Sequence, residues 1–208
     1  MARFLFAALA GLTLVTAPAG AAAQGRSDGE SFVAAVREGD SGKTFEFLNS
    51  LDFRALDYRS VTGETALHVA LADKRPSWVR LLLQRGANPD LKRGDGMPPL
   101  MIATERQDLG SVEALLRRRA NPNATNRAGE TALMLAVRLR NADIVKALLD
   151  KGADADIADS SAGLSARDYA RRDTRNPQLL ALIEAAEAPA SEADDAQSEG
   201  LTFGPILR

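Results

Sequence analysis

His68 is the first residue to weigh, because imidazole changes protonation near neutral pH and serves as acid, base or metal ligand. Each of those roles needs companions. His68 is the single histidine and the chain has no cysteine, which excludes thiolate nucleophiles, disulfides, iron–sulfur clusters and the common zinc sites. Asp154, Asp156 and Asp159 gather carboxylates at one junction. Their spacing is not that of a calcium loop, and the run reads as a solvated turn. Gly94 and Gly96 flank Asp95 with no strand before them, so they are not a phosphate cradle. No Gly-x-Ser-x-Gly elbow, dinucleotide fingerprint or His-Glu-x-x-His pair occurs. Asn123, Ala124 and Thr125 match a glycan-acceptor pattern that nothing else supports. The reading is a protein that is not an enzyme and uses no cofactor or metal. The alternative, a small-ligand binder or enzyme, would need polar groups converging in a pocket, and the sequence shows none.

The chain has 208 residues, 26 basic against 28 acidic, for a net charge of -2. That balance argues against a nucleic-acid binder, which shows a basic excess. Of the basic residues 21 are arginine, and alanine is abundant, a bias of GC-rich bacterial coding. Arg3 precedes an uncharged apolar run from Phe4 to Ala17, and small residues fill 19–23. A charged start, a short apolar stretch and small residues at Ala21 and Ala23 predict a signal peptide over 1–23, cut after Ala23. The run of 14 residues falls short of the roughly 20 that span a bilayer. The expected location is the periplasm, with no membrane attachment after cleavage and a linker over 24–30.

The elements that would position any site come from a repeat, the feature to seek before any other. Gly63-Glu-Thr-Ala-Leu-His-Val-Ala70, Gly96-Met-Pro-Pro-Leu-Met-Ile-Ala103 and Gly129-Glu-Thr-Ala-Leu-Met-Leu-Ala136 align with glycines 33 apart. A second block holds the same phase, with Ala87, Ala120 and Ala153 each closing a Leu-Leu segment. Thr65, Thr131 and Ser165 fit helix N-caps, and Pro98 and Pro99 fit a helix start. Second helices are predicted near Ser77–Arg85, Ser111–Arg118 and Ala142–Lys151, with Val79, Leu82 and Leu83 on a buried stripe. Small Ala70, Ala103, Ala136 and Ala170 let paired helices approach. Gly86 and Gly152 suit a left-handed helix end; Arg119 takes that place in the middle unit at some cost in stability.

This unit resembles the ankyrin repeat, with its Gly-x-Thr-Pro-Leu-His-x-Ala start and Leu-Leu-x-x-Gly-Ala end. The resemblance covers about 31–187. It implies an all-α ankyrin-repeat solenoid of about five helix-turn-helix units, at about 31–59, 60–92, 93–125, 126–158 and 159–187, with divergent end caps. One extra residue shifts the fourth aligned unit, so Gly129 to Gly163 is 34. In the family the position of His68 hydrogen-bonds between neighbouring repeats, and a structural histidine is expected here.

The resemblance implies a protein–protein interaction module that binds a protein partner through a concave surface. Junction tips and exposed first-helix positions carried over from the family are Val61, Thr62, Glu64 and Asp73 in the first good unit. In the next they are Lys92, Asp95, Met97, Glu105 and Arg106. In the third they are Thr125, Arg127, Glu130, Arg138 and Leu139. A monomer is expected. Exported bacterial ankyrin proteins suggest, by analogy, support of periplasmic oxidant defence through assistance to a catalase, or immunity to a secreted toxin. Lys74 to Arg140 carries thirteen basic and six acidic residues, with Arg85 and Arg117–Arg119 expected on one edge. Glu184 to Arg208 carries six acids and one base. The tail over 188–208 is expected to be disordered, although Leu201, Phe203, Ile206 and Leu207 give its end an apolar character.

Overall fold

A computed structural model describes residues 20–50 and 56–187 of the chain. Residues 1–19 of the signal peptide expected over 1–23, and the tail over 188–208, lie outside the described residues, while residues 20–23 of that expected peptide begin α1. Ten helices follow one another within them: α1 (Gly20–Glu38), α2 (Ser41–Ser50), α3 (Ala66–Ala72), α4 (Pro76–Arg85), α5 (Pro99–Glu105), α6 (Leu109–Arg117), α7 (Ala132–Arg138), α8 (Ala142–Leu149), α9 (Ala166–Arg172) and α10 (Pro177–Glu187). They pair in order as five helix-turn-helix units. First helices stack as α1, α3, α5, α7 and α9, and second helices as α4, α6, α8 and α10. The architecture is the all-α solenoid expected.

The local chemistry explains each unit. The Thr65 and Thr131 hydroxyls accept the backbone N–H of His68 and Met134, and Ser165 does the same for Asp168. Those bonds satisfy amides that no helical carbonyl reaches. Pro98 caps α5 and Pro99 is its first residue, where a missing N–H costs nothing. Asp108 and Asn141 cap α6 and α8 through the N–H of Ser111 and Ile144. Leu67, Leu82, Leu100, Leu115, Leu133, Ile144 and Leu148 fill one continuous core, and Ala70, Ala103, Ala136 and Ala170 are buried between helices.

Loops between units are joined by a ladder of short side chains. Asp57 accepts the N–H of Asn88, Asp90 that of Asn121, and Asn123 that of Asp154, at 2.8–2.9 Å. Asn88, Asn121 and Asp154 each accept the N–H two residues on. The ladder ends on Asp156, held by the Arg167 guanidinium at 2.7 and 3.2 Å.

Three expectations change. Residues 24–30, expected as a linker, belong to α1. Gly29 is buried there because the Tyr58 ring lies on the helix backbone; a Cβ on Gly29 would sit 2.3 Å from it. Asp159 is not solvated: it is 4% exposed and takes the N–H of Ser161 and Ala162 and the Tyr169 hydroxyl. Arg85 is half-buried, donating to the Leu48 carbonyl at 3.1 Å, and does not join an open basic edge.

Arg119 has φ +61, the left-handed conformation that Gly86 and Gly152 hold at φ +98 and +79. The end is otherwise regular, with the Ala120 N–H reaching back to the Leu115 carbonyl at 3.1 Å, as Ala87 reaches Leu82. Arg119→Gly should therefore raise stability by about 1 kcal/mol, the cost of crowding a Cβ in this region. A higher urea midpoint at unchanged slope checks it.

Candidate protein-interaction face

Each of the last four units is entered through a tight turn that carries its apex residues outwards. The turns close by backbone bonds from Ser60 to Glu64, Arg93 to Met97 and Asn126 to Glu130, at 2.8, 2.9 and 3.1 Å. Gly63, Gly96 and Gly129 turn the chain at φ +75, +87 and +75. In the fourth aligned unit the bond runs from Asp159 to Leu164, and the extra residue is absorbed inside the turn.

The tips brace one another. The Cα of Gly63 lies against Gly94 of the next tip, so a Cβ on Gly63 would meet that backbone at 2.7 Å. Arg127 lays its aliphatic stem over Gly96 and donates to the Gly94 carbonyl at 2.5 Å. Ser160 donates its N–H to the Ala128 carbonyl at 2.8 Å. The result is a row of apices in fixed register.

The carried-over residues divide by environment. Val61 is 94% exposed, and Thr62, Lys92, Asp95, Glu105, Arg106, Arg127 and Arg138 are exposed beside it along the row. Met97 is half-buried against the core, Thr125 is half-buried and bridged to Thr131, and Leu139 is half-buried. Glu64 pairs with Arg37 of the preceding unit at 3.0 Å, and Asp73 with Arg75 at 3.3 Å. Arg93 forks onto Asp95, and its side-chain hydrogen bonds hold that carboxyl down at about 2. Glu130 and Arg138 meet as an ion pair, with Glu130 also accepting the Asn126 amide at 2.8 Å. The Arg106 backbone N–H closes α5 on the Ile102 carbonyl at 3.0 Å, while its exposed guanidinium has no ion pair among the described residues.

Beside Arg138 lies a groove of about 300 Å³ between α7 and α9, lined by Val137, Arg138, Arg140, Tyr169, Arg172 and Asp173. Arg140 clamps Asp173 through two bonds at 2.7 and 3.0 Å, which holds the Asp173 carboxyl below the usual range. The Tyr169 hydroxyl donates to Asp159 at 2.6 Å, and that bond pushes its own proton loss upward. The exposed guanidinium of Arg172 makes no ion pair among the described residues, and, after the Ser165 hydrogen bonds, its charge helps hold the Asp168 carboxyl below its usual range. Sequence reasoning missed this groove, because the extra residue before Gly163 puts α9 out of phase. The shifted period of 34 was the signal that could have added Tyr169 and Arg172 to the face.

His68 lies behind the tips at 1% exposure. Its Nδ1 accepts the Thr65 N–H at 3.1 Å and pairs with the Thr65 hydroxyl at 2.8 Å. The family bond across units is replaced by a cap within the unit. Nε2 is buried without a full hydrogen bond, and the Leu91 backbone at the end of the same unit only partly compensates. Burial pushes the ring down to about 4. Among the described residues no group of three or more His, Asp or Glu side chains is placed to hold a metal.

Comparison with known proteins decides the family. A model described as ankyrin repeats (3 copies) matches residues 32–126 and 79–159, more than half of the chain. The chain belongs to the ankyrin repeat family. The family is generally one of non-enzymatic protein-interaction modules, which fits a braced row of tips. The chain is 42% identical over 65 residues to the E3 ubiquitin-protein ligase hecd-1 of Caenorhabditis elegans, covering 31% of this chain and 2% of that protein. It is 43% identical over 51 residues to the nuclear factor NF-kappa-B p110 subunit of Drosophila melanogaster, covering 24% and 5%. The ankyrin chain thus spans a small fraction of the length of the curated relatives it matches. No helix among its described residues is long and apolar enough to cross a membrane.

Proposed function

We propose that this ankyrin protein is exported to the periplasm and, as a monomer, binds a protein partner through its tips and the ends of its first helices. It works as a binding module without catalysis. The observation that carries the binding reading is the row of apices: braced tip to tip, yet exposed, with Val61 open and the guanidiniums of Arg106 and Arg172 in no ion pair among the described residues. A surface held in register before contact loses little entropy on association. The arginines of the α7–α9 groove favour a partner that presents acidic side chains there. Export rests on the charged start, the short apolar run and the small residues before Gln24.

Replacing Arg106 and Arg138 together by Glu should weaken capture of the partner from a periplasmic extract about tenfold, with helical content unchanged. Added salt should weaken the wild-type complex in the same direction. Equal capture by both proteins removes these positions from the interface. For export, the protein recovered from its own cells should begin near Gln24; a Met1 terminus in the cytosol contradicts it.

A further inference from the structure

The second-helix layer carries two adjoining grooves that no part of the interaction face uses. The first lies between α2 and α4, holds about 490 Å³, and is lined by Phe45, Trp78, Leu81, Arg80 and Gln84 with two serines. Phe45 is 46% exposed, with Val61 one of two exposed large apolar side chains among the described residues, and its ring leans on Trp78 with centroids 6.3 Å apart. The second lies between α4 and α6 and is lined by Arg80, Gln84, Arg117 and Arg118 with Leu83 and Ala114. Arg80 and Gln84 belong to both, so an aromatic hollow runs directly into a basic one. No carboxylate among the described residues lines either groove. Among the described residues Arg80 and Arg118 have no ion pair, and Arg117 has one exposed pair with Glu113 at 3.3 Å.

The chain itself carries a segment with the complementary order. After α10 come Glu192, Asp194, Asp195 and Glu199, and then Leu201, Phe203, Ile206 and Leu207. The basic groove is formed by the C-terminal halves of α4 and α6, and α10 ends at Glu187 on the equivalent edge of the same layer. Walking back from α10 past α8, the basic groove comes first and the aromatic groove second. Neighbouring helices lie about 10 Å apart, which puts the two grooves about 25 and 35 Å away. Twelve residues separate Glu187 from Glu199 and fourteen separate it from Leu201. At up to about 3.4 Å each, they reach both.

We propose that residues 195–207 dock on the chain's own second-helix layer, with Asp195 and Glu199 over Arg80, Arg117 and Arg118 and apolar side chains in the Phe45–Trp78 groove. The interaction is intramolecular. A short tether supplies an effective concentration on the order of mM, so weak individual contacts suffice. Docking leaves the tip face free and closes the exposed aromatic hollow. It stands independently of the partner reading.

Trp78 is the only tryptophan and lines the aromatic groove, so it reports directly. Acrylamide quenching is measured on the protein and on Phe203→Ser/Ile206→Ser and Arg80→Glu/Arg118→Glu variants, with circular dichroism as the folding control. The tail pair should raise the quenching constant about twofold by uncovering the ring, and high salt should move the wild type towards the arginine variant. The wild-type constant should not change on dilution. A tail variant quenched no more than wild type overturns the proposal, as does shielding lost on dilution, which would assign the groove to a second copy.

Discussion

Lowering the pH from 7 to 4 should remove roughly 3 kcal/mol of stability through His68 alone. Its ring is buried, and protonation would bring a charge into the core and destroy the Nδ1 acceptor that holds the Thr65 N–H. Burial is the largest cause of the lowered value of about 4, and the charge of Arg93 adds to it. In the unfolded chain the imidazole takes up its proton near 6.5, while the folded protein resists until about 4. The stability is therefore complete above pH 6.5, erodes as the pH falls, and stops eroding below about 4. Ordinary carboxylates titrate at the lower edge of this window or beneath it, and Asp95 at about 2. Met101 and Met134 occupy the equivalent position in the next two units. His68→Met therefore keeps a side chain this fold accepts and should flatten the slope. Urea unfolding at several pH values between 7 and 4 checks both; an equal slope in the variant contradicts the assignment.

Replacing Gly63 by Ala should cost about 3 kcal/mol, against about 1 kcal/mol for the same change at Gly152. Both residues are left-handed, at φ +75 and +79, so both pay the strain of that region. They differ in what the new methyl meets. At Gly152 nothing lies within 4 Å, whereas at Gly63 the Cβ would stand 2.7 Å from the Gly94 Cα and 2.8 Å from its nitrogen. Backbone cannot rotate aside as a side chain does, so the first two tips must part. Denaturation of the two variants separates strain from crowding. Equal losses would mean that the tips are not braced.

The repeat was legible because its physics recurs in the same residue types. Thr65 and Thr131 cap helices, Ala70, Ala103 and Ala136 space them, and Gly86 and Gly152 end them, all in one phase of 33 residues, and Ser165 and Ala170 repeat the pattern one residue late. Other recurring positions do not share a residue type and were invisible. Lys74, Gln107 and Arg140 are also 33 apart and all turn left-handed between paired helices, at φ +51, +54 and +56. Nothing in a lysine, a glutamine and an arginine announces that role, since the backbone imposes it. The loop ladder through Asp57, Asp90 and Asn123 was hidden for a related reason. Its acceptors read as solvated loop residues until the neighbouring unit supplies the N–H. Of the interaction face, the tips followed from the period, but the Arg138–Glu130 pairing and the α7–α9 groove needed the side chains in place. His68 is buried, as a structural histidine would be, while its bond is made to Thr65 of its own unit rather than to a neighbour.

The central claim is that the tips and first-helix ends form the binding face. Hydrogen–deuterium exchange of the protein, alone and with the partner it captures, tests that most directly. The account predicts new protection at residues 60–64, 93–97 and 126–130 and at the C-terminal ends of α5 and α7, with α4, α6 and α8 unchanged. Protection confined to the second helices, with the tips exchanging as freely as before, would contradict it.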